Sequence, residues 1–425
     1  MGDGDGPLAA TALRTSDFDY ALPPELIAQR PIEPRDDARL LAVDRAGGAI
    51  AHRRFFELGD LLQPGDLLVF NDSRVIPARL RARRVDTGGS AELLLLHRLD
   101  TQPSAGPASG GDALIFIEGR GESWGEGREE SRTPRSRISQ TATSPTKGPA
   151  LWKALARPAK RLKPGTRLRL EGGGDRHEVE IVERHGEGIV TVLIADEAAI
   201  EECGQAPLPP YIREPLADPE RYQTVYARVT GSAAAPTAGL HFTRDLLRRL
   251  EEKGIELAFV TLHVGLDTFR PVEAEDPRRH RIHREYAVIG EETARRINEA
   301  RAGGHRVVAV GTTTTRVLET AAFRPEMGRS RHAVGAPGAV TSSGPAQGSR
   351  TSIVAPFAGW TGLMILPGHE FRAVDALITN FHLPRSSLLM LVSAFAGKGL
   401  IDRAYAEAVR ERYRFYSFGD ATMIG

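Results

Sequence analysis

Polar side chains follow three apolar stretches of the chain, where a site for proton-transfer chemistry can form. His263 follows the stretch ELAFVT, the threonines at 312–315 follow RVVAV, and Asn380 and His382 follow DALIT. An imidazole exchanges protons near neutral pH, while hydroxyl and amide groups orient polar ligands. If the stretches are strands of an α/β sheet, their carboxyl ends meet at a crevice. We therefore expect these side chains to converge.

A third histidine, His241, lies in the segment AAAPTAGLHFTRDLL. Its small neighbours Pro236, Thr237 and Gly239 leave room for a bulky ligand to approach the backbone,. A single histidine in an apolar setting is more often a core residue than a catalyst. That alternative stays open for His241, His263 and His382.

The segment GTTTTR has the features of an anion-binding helix start. A glycine followed by Thr312 and Thr313 presents free backbone N–H groups and hydroxyl donors, which suit a carboxylate or a phosphate,. The segment is not a P-loop, because it lacks the lysine and the second glycine at the required spacing. Ordinary helix capping is the competing explanation.

The sequence has no pattern typical of a metal site or a serine nucleophile. No two histidines lie four residues apart, His280 and His283 have no nearby pattern of carboxylates, and GxSxG is absent,. The single cysteine, Cys203, excludes an internal disulfide and a cysteine-based cluster,.

Helical and strand patterns alternate after residue 206 and predict an α/β domain. The order is a helix capped by Thr243, strand IELAFVT, helix EETARRINEARA, strand HRVVAV, helix TTTTRVLETAA, strands LMILPG and DALITNF, and helices SSLLMLVSAFAG and DRAYAEAVRERYRF,. An amino-terminal strand, RLLAVD, belongs with this part of the chain.

Between the amino-terminal strand and residue 206, short runs of alternating apolar and polar residues are separated by glycine-rich turns. This pattern is typical of a small antiparallel barrel,. The predicted fold class is α/β, with a discontinuous mixed α/β main domain (residues 16–76 and 206–425) and an inserted antiparallel β-barrel domain (residues 77–205). Low-complexity composition predicts disorder for residues 1–15, 119–150 and 322–353,.

Length and composition agree with two globular domains. The chain has 425 residues, of which 41% are hydrophobic and 26% charged,. No apolar run approaches the roughly 20 residues that cross a bilayer, and the amino terminus does not resemble a signal peptide. With a lone cysteine, these features predict a soluble, cytoplasmic protein without a membrane partner.

Basic residues cluster in two places although the net charge is only +1. Clustered cations on one face of a nearly neutral protein can bind nucleic-acid phosphates, while solvated strand faces are the alternative. The candidates for contact with a nucleic acid are Arg74, Arg79, Arg83, Lys160, Arg161 and Lys163.

Eight motifs together give a specific resemblance. They are LPPELIAQRPIEPRDDARLLAVDR, LQPGDLLVFNDSRVIPARL, PLPPYIREPLADPERYQTVYA, GSAAAPTAGLHFT, TLHVGLDTFRPV, VVAVGTTTTRVLE, LITNFHLPRSSLLMLVSAFAG and YRFYSFGDATMI. In this order they resemble the S-adenosylmethionine:tRNA ribosyltransferase-isomerase family of queuosine biosynthesis. Departures from the family pattern are Ala38, Ser73 and Asp267, and none of them removes a candidate catalytic group.

The resemblance implies a reaction, its substrates and a fold. Such enzymes transfer the ribosyl part of S-adenosylmethionine to 7-aminomethyl-7-deazaguanine at the wobble position of tRNA and isomerise it. Epoxyqueuosine-tRNA forms, and adenine and methionine leave. The family fold is likewise a mixed α/β domain with an inserted β-barrel. The partners are then tRNA and S-adenosylmethionine as a co-substrate, with no further cofactor or metal, and we expect a monomer.

This chemistry assigns expected roles to residues. A sulfonium acidifies the adjacent 5′-carbon, so a base must remove a proton there and an acid must protonate the departing adenine. We expect His241, then His263 or His382, in these roles, with the carboxylates Asp72 and Asp420 as alternatives. The expected substrate contacts are Tyr222, Gln223, Tyr226, Pro236, Thr237, Gly239, Thr312, Thr313, Arg316 and Asn380. Ordinary helix packing would also explain the two tyrosines.

Two other functions remain open on the sequence. An S-adenosylmethionine-dependent methyltransferase is one, although the glycine-rich first turn of that fold is absent. A tRNA-binding module without catalysis, using the barrel alone, is the other. Only the ribosyl transferase releases adenine, so an assay for adenine distinguishes it from both alternatives.

Overall fold

The computed structural model describes residues 13–99, 148–174, 176–265, 271–280, 282, 284–323 and 353–425. The chain separates into two compact units, residues 1–76 with 206–425, and residues 77–205. Most of the three segments predicted to be disordered lies outside the described residues. Their described ends are ordered, because a 3₁₀ helix begins at Thr15, a strand begins at Ala150, and Ala322–Phe323 pairs with Ile353–Val354.

Twenty strands are assigned in the described residues. The first four are β1 Arg39–Val43, β2 Ile50–Arg54, β3 Leu67–Asn71 and β4 Ser73–Val75. The inserted unit contains β5 Arg79–Arg84, β6 Ser90–Leu99, β7 Ala150–Arg157, β8 Arg167–Leu170, β9 Glu178–Arg184, β10 Ile189–Ile194 and β11 Gly204–Gln205. The remainder are β12 Val229–Ser232, β13 Glu256–Leu262, β14 Glu285–Ile289, β15 Val307–Val310, β16 Ala322–Phe323, β17 Ile353–Val354, β18 Phe357–Thr361, β19 Ala376–Asn380 and β20 Ala421–Ile424.

Six α-helices accompany them. They are α1 Ala198–Cys203, α2 Arg244–Glu252, α3 Glu291–Ala302, α4 Thr312–Ala321, α5 Ser387–Ala396 and α6 Lys398–Arg410. Short 3₁₀ helices include Arg35–Asp37, Phe55–Leu61, Pro219–Tyr222 and Thr237–His241. Hydroxyl caps begin two of the α-helices, since Thr243 accepts a hydrogen bond from the N–H of Leu246, and Ser386 from that of Leu389,.

The larger unit is built on a nine-stranded sheet with the order β18-β14-β13-β3-β15-β19-β20-β1-β2. The four strands β13, β3, β15 and β19 run parallel, and β20 returns antiparallel beside β19. Every residue of β3, β15 and β19 is buried, because hydrophobic clusters cover both faces of the sheet,. The carboxyl ends of four parallel strands therefore share one edge.

The inserted unit is a closed barrel. Its six antiparallel strands follow the order β5-β6-β7-β10-β9-β8, and β8 pairs again with β5. Burial alternates along β5, β7 and β8, so one face of each strand fills the barrel interior and the other faces water,. The mixed α/β class with a small β-barrel is thus confirmed.

One strand prediction was wrong. Residues 363–368, LMILPG, form no strand, although Ile365 is buried in the core. This stretch is part of a connection that runs to β19. An apolar run of this length indicates burial without fixing the backbone conformation.

A buried carboxylate organises that connection. Glu319 on α4 has a side chain that is 1% exposed, and it accepts hydrogen bonds from the backbone N–H groups of Arg372, Ala373 and Val374. His369 contacts the same carboxylate. Charge-assisted bonds of this kind are about twice as strong as neutral ones. Glu319 therefore fixes the entry to β19.

We predict that Glu319→Gln lowers the free energy of unfolding by about 1–3 kcal/mol, because an amide replaces two acceptor oxygens with one and brings a donor towards backbone N–H groups. Urea unfolding measures the change. Glu292→Gln, on the exposed face of α3, is the matched control and should change stability by less than about 0.5 kcal/mol. Equal effects of both substitutions would contradict this role.

Candidate active site

A pocket lies at the carboxyl edge of the parallel strands. It is lined by Tyr211, Ala235, Pro236, Thr237, Ala238, Val264, Gly311, Thr312, Thr313, Thr379, Asn380, Phe381, His382, Leu383, Leu388, Tyr416 and Ser417. The sheet topology explains why these residues meet, because β13, β15 and β19 each end beside the pocket. Thr312, Thr313, Asn380 and His382, which the sequence analysis placed together, all contribute to this lining. We call it the strand-end pocket.

The buried amide of Asn380 joins three segments of this pocket. Its Oδ1 accepts a hydrogen bond from the Thr237 hydroxyl at 2.9 Å, and its Nδ2 donates to the backbone carbonyl of Tyr416 at 3.2 Å. Asn380 thus connects the end of β19 with the 236–241 segment and with the carboxyl-terminal segment that precedes β20.

His382 is the histidine that lines the strand-end pocket. Its Nε2 lies 2.8 Å from the Thr379 hydroxyl, and its backbone N–H donates to the Tyr405 hydroxyl. Its Nδ1 makes no hydrogen bond to the described residues. Burial lowers the pKa of His382 to about 3, so the ring is neutral at physiological pH,. With Nε2–H donating to Thr379, the Nδ1 lone pair can accept a proton.

His241, ranked first on the sequence, has a different setting. It is 4% exposed and stacks on Phe55 with ring centroids 5.0 Å apart. Its Nδ1 lies 3.1 Å from the carbonyl of Ala238, and its Nε2 lies 2.9 Å from that of Gly419. Burial lowers its pKa, and the two carbonyl contacts oppose this. Both ring nitrogens therefore contact backbone carbonyls, and the predicted catalytic role of His241 stays a prediction.

His263 does not line the strand-end pocket either. A Cβ added at Gly231 would lie 2.8 Å from its ring, so the imidazole packs directly on that glycine. Its Nδ1 is buried without a hydrogen-bond partner among the described residues. Burial lowers the pKa of His263, and the nearby Asp72 partly opposes this. His263 therefore lies outside the lining that Thr312, Thr313, Asn380 and His382 share, contrary to the expectation from sequence.

The two candidate carboxylates accept hydrogen bonds from protein donors. Asp72, 2% exposed, accepts from Arg228 Nε at 2.7 Å and from the Thr261 hydroxyl at 2.6 Å. Asp420, 1% exposed, accepts from the backbone N–H groups of Arg39 and Arg414. Both carboxylates thus tie neighbouring segments together, and their predicted catalytic roles stay predictions.

The GTTTTR segment divides between the strand-end pocket and the core. Gly311 has φ +94°, a conformation that favours glycine, and it turns the chain from β15 into α4,. Thr312 and Thr313 line the pocket. Thr314 and Thr315 instead donate their hydroxyls to the carbonyls four residues earlier.

Arg316, an expected substrate contact, is held within the protein. It forms a buried ion pair with Glu285 and donates Nε to the carbonyl of Leu363 at 3.0 Å. Glu285 also accepts the N–H of Gly265 at 2.9 Å. This network fixes the segment after β13. Arg316 Nη2 is buried without a hydrogen-bond partner among the described residues, and the predicted contact with a substrate carboxylate stays a prediction.

Four other expected ligand contacts are packed or bonded within the protein. Tyr222 is fully buried, and the half-buried Tyr226 packs edge-on against Phe70. Gln223 bonds the N–H and the carbonyl of Val75 through its amide. A Cβ added at Gly239 would lie 1.9 Å from the Tyr226 hydroxyl, so this glycine admits a tyrosine rather than a nucleoside.

The sequence analysis missed three contributors to the strand-end pocket. Tyr211 and Tyr416 pack with ring centroids 4.8 Å apart, and the Tyr211 hydroxyl bonds Ser417 at 2.6 Å. Tyr416 has φ +70°, which is rare for a bulky residue and clusters at functional sites,. The motifs PLPPYI and YRFYSFGDAT contained them, but only Asp420 was selected there.

The predicted nucleic-acid contacts fall into two groups. Arg74 pairs with Glu220, Arg79 lies 3.8 Å from Glu92, and Arg83 lies 3.0 Å from Glu171. The second group consists of Lys160, Arg161 and Lys163. These side chains are exposed on the barrel and form no ion pair with the described residues. The second group is better suited to neutralise phosphates, since its charges are uncompensated.

Neither a metal-ligand cluster nor a membrane span is found in the described part of the chain. No group of three or more histidine, cysteine, aspartate or glutamate side chains there could hold a metal ion. No helix among those residues is long and apolar enough to cross a bilayer.

We predict that Gly239→Ala destabilises the protein by about 1–3 kcal/mol through overpacking against Tyr226, and that Tyr226→Phe in the same chain restores part of the loss. Thermal and urea unfolding measure both effects. Gly399→Ala is the matched control, because a Cβ there meets nothing within 4 Å. A stable Gly239→Ala variant would overturn the packing explanation.

A second prediction concerns acid stability. The unfolded chain protonates His382 as the pH falls below about 6.5, whereas the folded chain does so only near pH 3,. The folded state therefore loses stability as the pH falls through this window, by about 1 kcal/mol from His382 between pH 7.5 and pH 5.5. His382→Asn should remove this share of the acid dependence in urea unfolding. Equal acid dependence in the variant and the natural chain would contradict a buried neutral ring.

Comparison with known proteins shows the family of this chain. A family model described as "Queuosine biosynthesis protein" matches residues 15–424. S-adenosylmethionine:tRNA ribosyltransferase-isomerases from Symbiobacterium thermophilum and Dehalococcoides mccartyi are 46% and 44% identical, and each alignment covers 97% of this chain and 100% of the relative. A crystal structure of S-adenosylmethionine tRNA ribosyltransferase from Thermotoga maritima is 35% identical, covers 96% of this chain and 100% of that one, and gives a TM-score of 0.46. The chain belongs to the queuosine biosynthesis protein family.

Proposed function

We propose that this protein is an S-adenosylmethionine:tRNA ribosyltransferase-isomerase. It transfers the ribosyl part of S-adenosylmethionine to 7-aminomethyl-7-deazaguanine in the wobble position of tRNA and isomerises it, giving epoxyqueuosine-tRNA, adenine and methionine. Relatives that carry this name match the full chain. The observation that carries the mechanism is the neutral imidazole of His382 in the strand-end pocket.

His382 is the proposed proton carrier. The sulfonium acidifies the 5′-carbon, and the proton moves from that carbon to Nδ1 of His382. Adenine then leaves the sugar and needs a proton. The protonated ring, which lines the same pocket, then donates this proton to the departing purine,. One residue would then serve both steps.

Other groups of the strand-end pocket suit the remaining parts of the substrate. The first turn of α4, with the hydroxyls of Thr312 and Thr313, offers donors for the methionine carboxylate,. The rings of Tyr211 and Tyr416 offer apolar faces for a purine or deazapurine,. On the barrel, Lys160, Arg161 and Lys163 are proposed to contact tRNA phosphates.

The remaining features of the function are also proposals. We propose that the protein acts as a monomer in the cytoplasm and uses S-adenosylmethionine as a co-substrate without a further cofactor. Gel filtration combined with light scattering tests the oligomeric state, and activity after dialysis against a chelator tests the cofactor requirement.

The direct test is adenine release. The protein is incubated with S-adenosylmethionine and tRNA that carries 7-aminomethyl-7-deazaguanine, and adenine is quantified. We expect adenine only with the modified tRNA, and a loss of about 10²–10⁴-fold in kcat for His382→Ala. His52→Ala, at the exposed edge strand β2, is the matched control and should keep the full rate.

The alternatives give different results. A methyltransferase would release S-adenosylhomocysteine, and a binding module would consume no S-adenosylmethionine. Absence of adenine would therefore refute the proposed function. Adenine release at full rate by His382→Ala would leave the function intact and refute the role of His382.

A further inference from the structure

A second pocket adjoins the strand-end pocket and has a cationic lining. Ser417 contributes to both pockets, which lie beside the same carboxyl-terminal segment. The second pocket is lined by Pro31, Ile32, Arg35, Arg221, Leu240, His241, Ser417, Phe418 and Gly419. Two arginines and no carboxylate occur in this lining. We call it the arginine pocket.

The arginines retain unused donors. Arg35 donates to the carbonyls of Gln223 at 2.7 Å and Glu220 at 3.1 Å, and it forms no ion pair with the described residues. A guanidinium has five N–H groups, so these two bonds leave three of them free of the described residues,. Arg221 donates to the carbonyl of Ile32 at 3.0 Å and pairs with Glu33, which lies outside the lining.

Arg35 is influenced both by the neighbouring arginine and by nearby carboxylates. Burial and then the positive charge of Arg221 lower the pKa of Arg35, while the carboxylates of Glu33, Asp218 and Glu220 oppose this. A guanidinium stays protonated at any physiological pH. Because Arg35 has no ion pair with the described residues, an anion held between the two guanidinium groups would accept charge-assisted hydrogen bonds from its unused N–H groups,.

We propose that the arginine pocket binds one backbone phosphate of the RNA substrate, next to the nucleotide that enters the strand-end pocket. The inference rests on the proposed function. Two planar guanidinium forks match the oxygens of a phosphate diester, which they contact bidentately. Every nucleotide has phosphates on both sides, so a base in the strand-end pocket brings a phosphate to the neighbouring surface.

The role follows from the chemistry of modification. An enzyme that acts on a base must take it out of the stack, and phosphate contacts fix the register of the strand while the base enters the pocket. The two pockets share Ser417, so a phosphate held by Arg35 and Arg221 would stay close to the reacting nucleotide. Barrel cations would bind other phosphates and would not replace this contact.

The test measures binding of the full chain to an anticodon stem-loop RNA. In a series of RNAs, one phosphate at a time around the wobble nucleotide is replaced by an uncharged methylphosphonate. For the natural chain, we expect one replacement to weaken binding about ten-fold and to lower the salt slope by about 0.7–1. In Arg35→Gln and Arg221→Gln chains, that same replacement should have no further effect. Arg295→Gln, on the exposed face of α3, is the matched control and should behave as the natural chain does.

This coupling separates direct contact from a structural role. If the replacement weakens binding equally in the natural and variant chains, the arginines do not contact that phosphate and the proposal is wrong. An increase of KM for S-adenosylmethionine with unchanged RNA binding would also overturn it, because the anion would then be the methionine carboxylate. Thermal unfolding verifies that the variants are folded, and the Arg35→Lys and Arg221→Lys chains, which keep the charge, should retain part of the coupling.

Failure of the proposed function has a different signature. If the natural chain released no adenine but showed the phosphate coupling, the proposed reaction would be wrong and the arginine pocket would remain an RNA contact.

Discussion

The amide of Asn380 is the interaction on which the strand-end pocket depends. It is buried, and both of its polar atoms are used, one by the Thr237 hydroxyl and one by the carbonyl of Tyr416. Asn380 ends the last parallel strand, while its two partners lie in segments far apart in the chain. Losing a partner of a buried amide costs about 1–3 kcal/mol, so the three segments are held together.

Buried charges divide between supporting and reacting roles. Asp72, Glu285, Glu319 and Asp420 all accept several donors, and each ties a strand end or a loop to its neighbours. Their hydrogen bonds are therefore used to hold the protein backbone and neighbouring side chains. His382 differs, because only one of its ring nitrogens is bonded to the described residues. The supporting carboxylates keep the strand ends in place, and the histidine remains available for chemistry.

Much of the fold could be predicted from the sequence because the pattern of apolar and polar residues was clear along the α/β part of the chain. Continuous apolar runs marked β13, β15 and β19, and the threonines after β15 marked the start of α4. The strand predicted for LMILPG failed, because an apolar run reports burial and leaves the backbone conformation open.

The site was predicted less well, and for a physical reason. Sequence spacing located His382 and Asn380 at strand ends, but side-chain direction depends on tertiary packing. Gly239 was interpreted as space for a ligand, whereas the space is filled by Tyr226. His241 was preferred for its small neighbours, yet two backbone carbonyls occupy its ring. Arg35 and Arg221 lie far apart in the chain, and only folding brings them to one pocket.

A crystal structure of the protein with bound S-adenosylmethionine would test the central claim most directly. The account predicts that the ligand occupies the strand-end pocket, with its sulfonium-bearing 5′-carbon within reach of Nδ1 of His382 and its carboxylate at the first turn of α4. A ligand bound on the barrel, or bound with His382 remote from the 5′-carbon, would contradict the account.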